Sequence, residues 1–347
     1  EAIQQVRGMG GHVAFYINSR LCNTAFADEQ EQIRQSAVMN RNGSLYIEKY
    51  GAANVSFASM CINEPAWRQR LAHTVRYLTH DIGADSIYLD QLAMAPSLKC
   101  YHPAHAEHND NPTAWNQGYE KLLSQLCMDT PPEGVALLYE GCNDIFGPRA
   151  SGQLISSMSG PFIGRFPEVY KYTFPDQILV DMMNPRRHSA MRPEHIARHS
   201  TEFLYKAFVM GSYFWCYDLE WDNTWRRDPE QAQRLKKVIA LRVRWLENYG
   251  HGRFTDTVGI LRAPAEPMIK RFELEDGLLL ACACDSTLCG QVAVSWKYGR
   301  PPKAVVMTMD QPDAQPLTDI SVETIGGTPC ALLSLPHSEM AVIVLRI

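Results

Sequence analysis

Through the first 260 positions, short apolar runs alternate with longer stretches in which apolar side chains return every third or fourth residue. The runs "HVAFYIN" (12–18), "SIYLD" (86–90), "GVALLYE" (134–140), "DQILVD" (176–181) and "AFVMGSYFWCYD" (207–218) read as strands, and "TVGIL" (257–261) is a weaker one. Between them, Trp67, Leu71, Val75, Leu78 and Ile82 fall on one helical face behind the start signal Asn63-Glu64-Pro65. Trp115, Tyr119, Leu122, Leu123 and Leu126 repeat the pattern behind Asn111-Pro112-Thr113. Pro193 opens a third helix through Phe203 and Ala207, and Asp228-Pro229 caps a fourth carrying Leu235, Ile239, Val243 and Leu246.

Strand and helix in regular alternation predict parallel strands joined by crossovers. A closed eight-unit barrel and an open doubly wound sheet both satisfy that order. No G-x-G-x-x-G follows any strand, which removes support from the dinucleotide-binding open sheet. About six strands can be counted where a complete barrel has eight, and residues 1–11 cannot hold two more units. The expected fold class is therefore α/β: a (β/α)8 TIM-type barrel lacking its first strands, or one finished by a segment outside this chain.

From about residue 264 the texture changes. "KRFELEDGLLLACACD" places a Glu-Asp-Gly turn between two alternating runs, and "QVAVSWKY", "KAVVMTM", "DISVETI", "CALLSL" and "MAVIVLRI" follow at short intervals. Seven or eight such strands predict an antiparallel β-sandwich. With 347 residues exceeding one ordinary core, the expected domains are a barrel over 1–262 and a sandwich over 263–347.

Composition narrows the function classes. A net charge of -5 and the lack of a long Lys/Arg run give no electrostatic reason to bind nucleic acid. No apolar stretch approaches the ~18–20 residues that span a bilayer, so no membrane partner is expected. The ten scattered cysteines form no C-x-x-C pair, which predicts free thiols in a reducing, cytoplasmic setting. Cys282 and Cys284, two apart on a strand, should share one face as small core residues.

In a parallel barrel, chemistry sits at the carboxyl ends of the strands. Asp90, Glu140, Asp181 and Asp218 end four of the strand runs, and Asp144 lies just beyond Glu140. Aspartate is common in caps and turns. Glutamate is not, so Glu140 lacks that simple explanation and turns attention to Asp90 as its partner. Two carboxylates at neighbouring strand mouths are what glycosidic hydrolysis requires, with the acid's pKa raised by the other's charge.

Other residues fit a sugar cleft. In the loop "KCYHPAHAEHND", His102 and His105 are candidate sugar contacts; ordinary packing and a metal site of Cys100, His102, His105 and His108 are the alternatives, with Pro103 arguing against a helical spacing. In "SYFWCYDLEWDNTW", Tyr217, Asp218 and Trp221 lie past the strand end where a sugar's C–H face could stack. Arg186, in "MNPRRHSAMRP", suits a hydroxylated or anionic substrate or a solvated loop.

"GADSIYLDQL" followed by a His-rich loop and then "LLYEGCND" resembles a glycoside-hydrolase-like family of barrel enzymes, a domain of unknown function, over roughly residues 10–262. It is similar, more distantly, to retaining α-glycosidases such as the α-amylase superfamily and the endo-α-N-acetylgalactosaminidases. The resemblance implies that Asp90 is the nucleophile ending the fourth barrel strand and Glu140 the acid/base ending the fifth. It also makes "HVAFYIN" the third strand.

The combined expectation is a retaining glycosidase acting on an α-linked oligosaccharide or glycoside, with no cofactor and no metal. A metal-dependent hydrolase built on the histidine loop with Asp90, and a non-catalytic carbohydrate-binding protein, are the alternatives.

Overall fold

The computed structural model describes residues 1–51, 54–108, 111–129, 134–155, 167–182, 193–215, 229–298 and 300–347. Contacts divide the chain into two units, Glu1–Leu154 and Ile155–Ile347. In chain order the first holds α1 (Ala2–Gly8), β1 (Ala14–Asn18), β2 (Leu21–Asn23), α2 (Gln30–Ser36), β3 (Ile47–Tyr50), β4 (Val55–Ser59), α3 (Pro65–Arg76), β5 (Ser86–Asp90), α4 (Ala114–Asp129), β6 (Ala136–Glu140) and β7 (Gly152–Leu154).

Strands β1, β5, β6 and β7 pair side by side, all parallel. Period-two alternation decides what each strand buries. Phe15 and Ile17, Ile87 and Leu89, and Leu137 and Tyr139 all join one core with Trp67, Leu71 and Val75 of α3 and Trp115, Tyr119, Leu122, Leu123 and Leu126 of α4. The opposite phase, Tyr16 and Asn18, Tyr88 and Asp90, Leu138 and Glu140, therefore lies on the face turned away from those helices. The helix starts follow their signals. Pro65 occupies the first turn of α3, and the Glu64 carboxylate accepts from the Ala66 N–H.

An antiparallel sheet of order β2-β4-β3 sits between β1 and α3. Its strands are three to five residues long, and β3 is largely exposed, so no clean hydrophobic alternation announces it.

The second unit contains α5 (Pro167–Thr173), β8 (Leu179–Met182), α6 (Pro193–Val209), β9 (Tyr213–Trp215) and α7 (Pro229–Tyr249), with β8 and β9 parallel. The remaining strands form two antiparallel sheets. One has the order β10 (Arg253–Phe254), β12 (Met268–Leu274), β13 (Gly277–Ala283), β19 (Met340–Arg346), β15 (Lys303–Thr308), β16 (Gln315–Pro316). The other runs β11 (Ile260–Arg262), β14 (Gln291–Ser295), β18 (Thr328–Ser334), β17 (Ile320–Ile325). On β13, Leu278, Leu280 and Cys282 meet residues of the second sheet. Leu279, Ala281 and Ala283 instead meet Phe203, Ala207 and Phe208 of α6 and Val238, Leu241 and Trp245 of α7. Cys282 and Cys284 share the sheet-to-sheet core, as their spacing predicts.

Three sequence expectations change. The run 207–218 is not one strand, because Ala207–Val209 close α6, where Phe203, Leu204, Ala207 and Phe208 continue a helical stripe. Gly211, at φ +71°, then turns the chain into β9. On α7, Ile239 and Val243 are exposed, and the buried face runs through Leu235, Val238, Leu241, Arg242 and Trp245 instead. The antiparallel sheets already include β10 and β11, ahead of the boundary expected at 262/263. Among the described residues no helix is long and apolar enough to cross a membrane.

Candidate functional site

The parallel register brings Asn18 beside Asp90 at the carboxyl ends of β1 and β5. Leu89 pairs with Tyr139 one position before the end of β6, so Glu140 is the next residue on the neighbouring strand. Asp90 and Glu140 share the face turned away from the helices, which puts both carboxylates at one edge of the sheet.

Asp90 is held from its other side. Its Oδ2 accepts from the Tyr16 hydroxyl at 2.6 Å and from the Asn18 side-chain amide at 2.8 Å. The Tyr16 phenol is itself pushed well above its ordinary pKa, first by burial of its hydroxyl end and then by Asp90. It stays protonated and remains a donor.

The residue after Asp90 links the two carboxylates. The Gln91 N–H donates to Glu140 Oε2 at 3.1 Å, from a backbone at φ +61°. The Ala93 N–H donates to the Glu140 carbonyl at 3.0 Å, so the turn leaving β5 clasps the end of β6. Gly141, at φ +92°, permits this approach: a Cβ there would lie 2.9 Å from the Ala93 carbonyl carbon and 2.5 Å from Met94.

Behind the turn stands a charged bracket, in which Arg20, just ahead of β2, meets residues of the small antiparallel sheet. Arg20, 3% exposed, donates to Glu48 through two nitrogens at 2.5 and 2.8 Å and to the Ser59 hydroxyl at 3.0 Å. Its Nε donates to Gln91 Oε1 at 3.2 Å. Gln91 Nε2 donates to the Tyr50 hydroxyl at 3.2 Å, and Tyr50 donates in turn to Glu48. The bonds from Arg20 hold the Glu48 carboxyl below the usual carboxylate range. Arg20, Tyr46, Glu48, Lys49, Tyr50, Gln91 and Glu140 line an open cleft with Met94, Ala95 and Pro96.

The structure brings some predicted residues together and leaves others apart. Asp144 is exposed in the segment after β6. Asp181 is buried on β8 in the second unit, beside Phe214 of β9. Arg186, Tyr217, Asp218 and Trp221 lie outside the described residues. His102 and His105 are not among the cleft's lining residues. His102 is half-buried, with Nε2 at 3.1 Å from the Arg34 carbonyl. His105 is 2% exposed, and its nitrogens engage the Cys100 thiol at 3.3 Å and the Gln35 carbonyl at 2.9 Å.

Tyr16, Asn18, Arg20, Glu48, Tyr50 and Gln91 were not singled out in the sequence. For Tyr16 and Asn18 the signal was present, since they share the alternation phase of Asp90. The others come from elements too short or too exposed to be read.

Comparison with known proteins supplies the family context. Residues 1–159 match the family described as "Domain of unknown function (DUF6259)". A Bacteroides thetaiotaomicron protein named "Putative glycoside hydrolase" is 25% identical over 142 residues, covering 40% of this chain and 21% of the relative. "Putative glycoside hydrolase 22789" of Monosiga brevicollis is 22% identical over 355 residues, covering 94% of this chain and 29% of the relative. The chain thus spans less than a third of the length of these relatives. Among solved structures, a Paenibacillus sp. cycloisomaltooligosaccharide glucanotransferase superposes with a TM-score of 0.67 at 10% identity, over 99% of this chain and 74% of that one. An α-amylase from H. orenii gives a TM-score of 0.58 at 10% identity, over 99% and 82%. The chain is thus similar in sequence to proteins named as putative glycoside hydrolases, and similar in fold to a glucanotransferase and an α-amylase.

Proposed function

We propose that this chain carries the catalytic face of a retaining glycosidase acting on an α-linked sugar, with Asp90 as nucleophile and Glu140 as general acid/base. The observation that carries the proposal is their shared edge: same face, adjacent parallel strands, with Tyr16 and Asn18 holding Asp90. Adjacent strands run about 4.8 Å apart. Side chains in neighbouring positions on one face therefore suit the ~5–5.5 Å carboxylate spacing of retention better than the wider spacing of inversion.

In this reading Asp90 attacks the anomeric carbon through Oδ1, since both bonds from Tyr16 and Asn18 fall on Oδ2. Glu140 protonates the departing glycosidic oxygen as that bond breaks, leaving a glycosyl ester on Asp90. Glu140 then takes a proton from the incoming water, which hydrolyses the ester and releases the sugar with its original anomeric configuration. The reaction needs no redox partner. The strands would belong to a (β/α)8 barrel, and the exposed Asp144 beyond Glu140 would supply a sugar contact. The glucanotransferase and α-amylase among the structural neighbours favour an α-glucan or related α-glycoside.

The test is hydrolysis across a panel of aryl α-glycosides, with proton NMR of the first-formed anomer. Asp90→Asn should abolish turnover, and Glu140→Gln should lower it roughly 10²–10⁴-fold on substrates with poor leaving groups. Full activity in Asp90→Asn, or a first product of inverted configuration, overturns the assignment.

A further inference from the structure

The histidine loop gathers a different set of residues from the one its spacing suggests. Cys61, just past β4, meets Cys100, His105 and His108 from the segment between β5 and α4, and one ligand atom from each lies within 4.8 Å of all the others. Cys61 Sγ is 3.2 Å from His108 Nε2, and Cys100 Sγ is 3.3 Å from His105 Nδ1. His102 is not a member. It stacks on His105 with ring centroids 4.2 Å apart and faces the Arg34 carbonyl.

We propose that Cys61, Cys100, His105 and His108 bind a zinc ion as a closed structural site. Tetrahedral zinc with bonds of ~2.3 Å to sulfur and ~2.0–2.1 Å to nitrogen holds neighbouring S and N atoms about 3.6 Å apart. The two close S···N pairs, at 3.2 and 3.3 Å, lie a few tenths of an ångström from that separation. Isolated S–H···N bonds would explain each pair but not the convergence of all four groups on one point.

The surroundings fit the same assignment. His105 turns Nδ1 to the cluster while Nε2 meets the Gln35 carbonyl at 2.9 Å and Glu64 Oε2 at 3.1 Å, the outer support that orients a ligating imidazole. Binding releases the two thiol protons to water, and Zn²⁺ with two thiolates and two neutral imidazoles carries no net charge. A neutral site fits its place against Val38, Tyr46 and Leu98.

Four protein ligands leave no open position, so the ion would tie chain to chain rather than activate water. The tied segment begins right after Asp90 and includes Gln91, Met94, Ala95 and Pro96 of the cleft wall. This inference is independent of the glycosidase reading.

The test is elemental analysis of the full chain, purified without chelator after expression in zinc-supplemented medium. About one zinc per chain is expected, and Cys61→Ser or Cys100→Ser should lower it at least tenfold. Cys289→Ser, an exposed thiol in the second unit, should keep it. If the ligand variants fail to fold, cobalt(II) exchange into the parent chain decides: tetrahedral thiolate coordination gives intense visible bands. A parent chain without stoichiometric metal, a Cys61–Cys100 disulfide in its peptide map, full zinc in a folded Cys100→Ser, or no cobalt spectrum each overturns the proposal.

Discussion

Tyr16 donates its hydroxyl hydrogen to Asp90 Oδ2 across 2.6 Å, from β1 to the end of β5. That bond and the one from the Asn18 amide fix the Asp90 carboxylate on the shared edge. Tyr16→Phe keeps the ring and loses only the donor. In a retaining glycosidase kcat/KM should then fall about tenfold, the loss of one hydrogen bond to a charged group. An unchanged kcat/KM would separate Tyr16 from the work of Asp90.

Gln91 combines a left-handed backbone with bonds to Arg20, Tyr50 and Glu140. A β-branched residue resists that conformation, which costs roughly 1–2 kcal/mol for an L-residue. Gln91→Val should therefore be the less stable variant by about that amount when compared with Gln91→Gly, both lacking the side-chain amide. Denaturant midpoints of the two proteins check this. Equal midpoints would mean that the turn relaxes freely.

Arg20 and Glu48 form the buried bracket behind the turn, with side chains 4% and 20% exposed. Arg20→Ala leaves the Glu48 carboxylate without its counter-ion and should destabilise the chain by about 3–5 kcal/mol. Arg20→Met combined with Glu48→Leu should recover much of the loss. The pH dependence has a definite sign. Glu48 lies below its ordinary value in the folded chain, so its contribution is complete above the ordinary carboxylate range and is lost as pH falls through the lowered folded value. Urea titrations across the acid range should show a shallower slope in Arg20→Met/Glu48→Leu, where Glu31 and Asp85 keep their own contributions, than in the parent.

These residues also mark how far the sequence could be read. Ser86–Asp90 has the predicted bounds because its apolar run ends in a polar residue. Glu140 is legible for the same reason. The bracket is not, because Arg20 sits in the link between β1 and β2, and Glu48 and Tyr50 on the four-residue β3, whose pairing depends on distant partners. Local pattern also misplaces the end of α6, where Phe208 and Val209 suit a helix or a strand equally and only Gly211 decides. The cysteine–histidine cluster needs Cys61, separated from its three partners by α3 and β5. No spacing rule reaches across that separation.

The two-sided burial of β13 sets where the second unit can be cut. A fragment of residues 263–347 would keep the sheet-to-sheet side of this strand covered and strip α6 and α7 from Leu279, Ala281 and Ala283. A bared apolar strip at the centre of a sheet recruits other copies of itself. That fragment should precipitate or form large particles in light scattering, while residues 155–347, which retain both helices, should remain dispersed. Recombinant dissection of this chain has to follow its buried faces rather than the change in sequence texture.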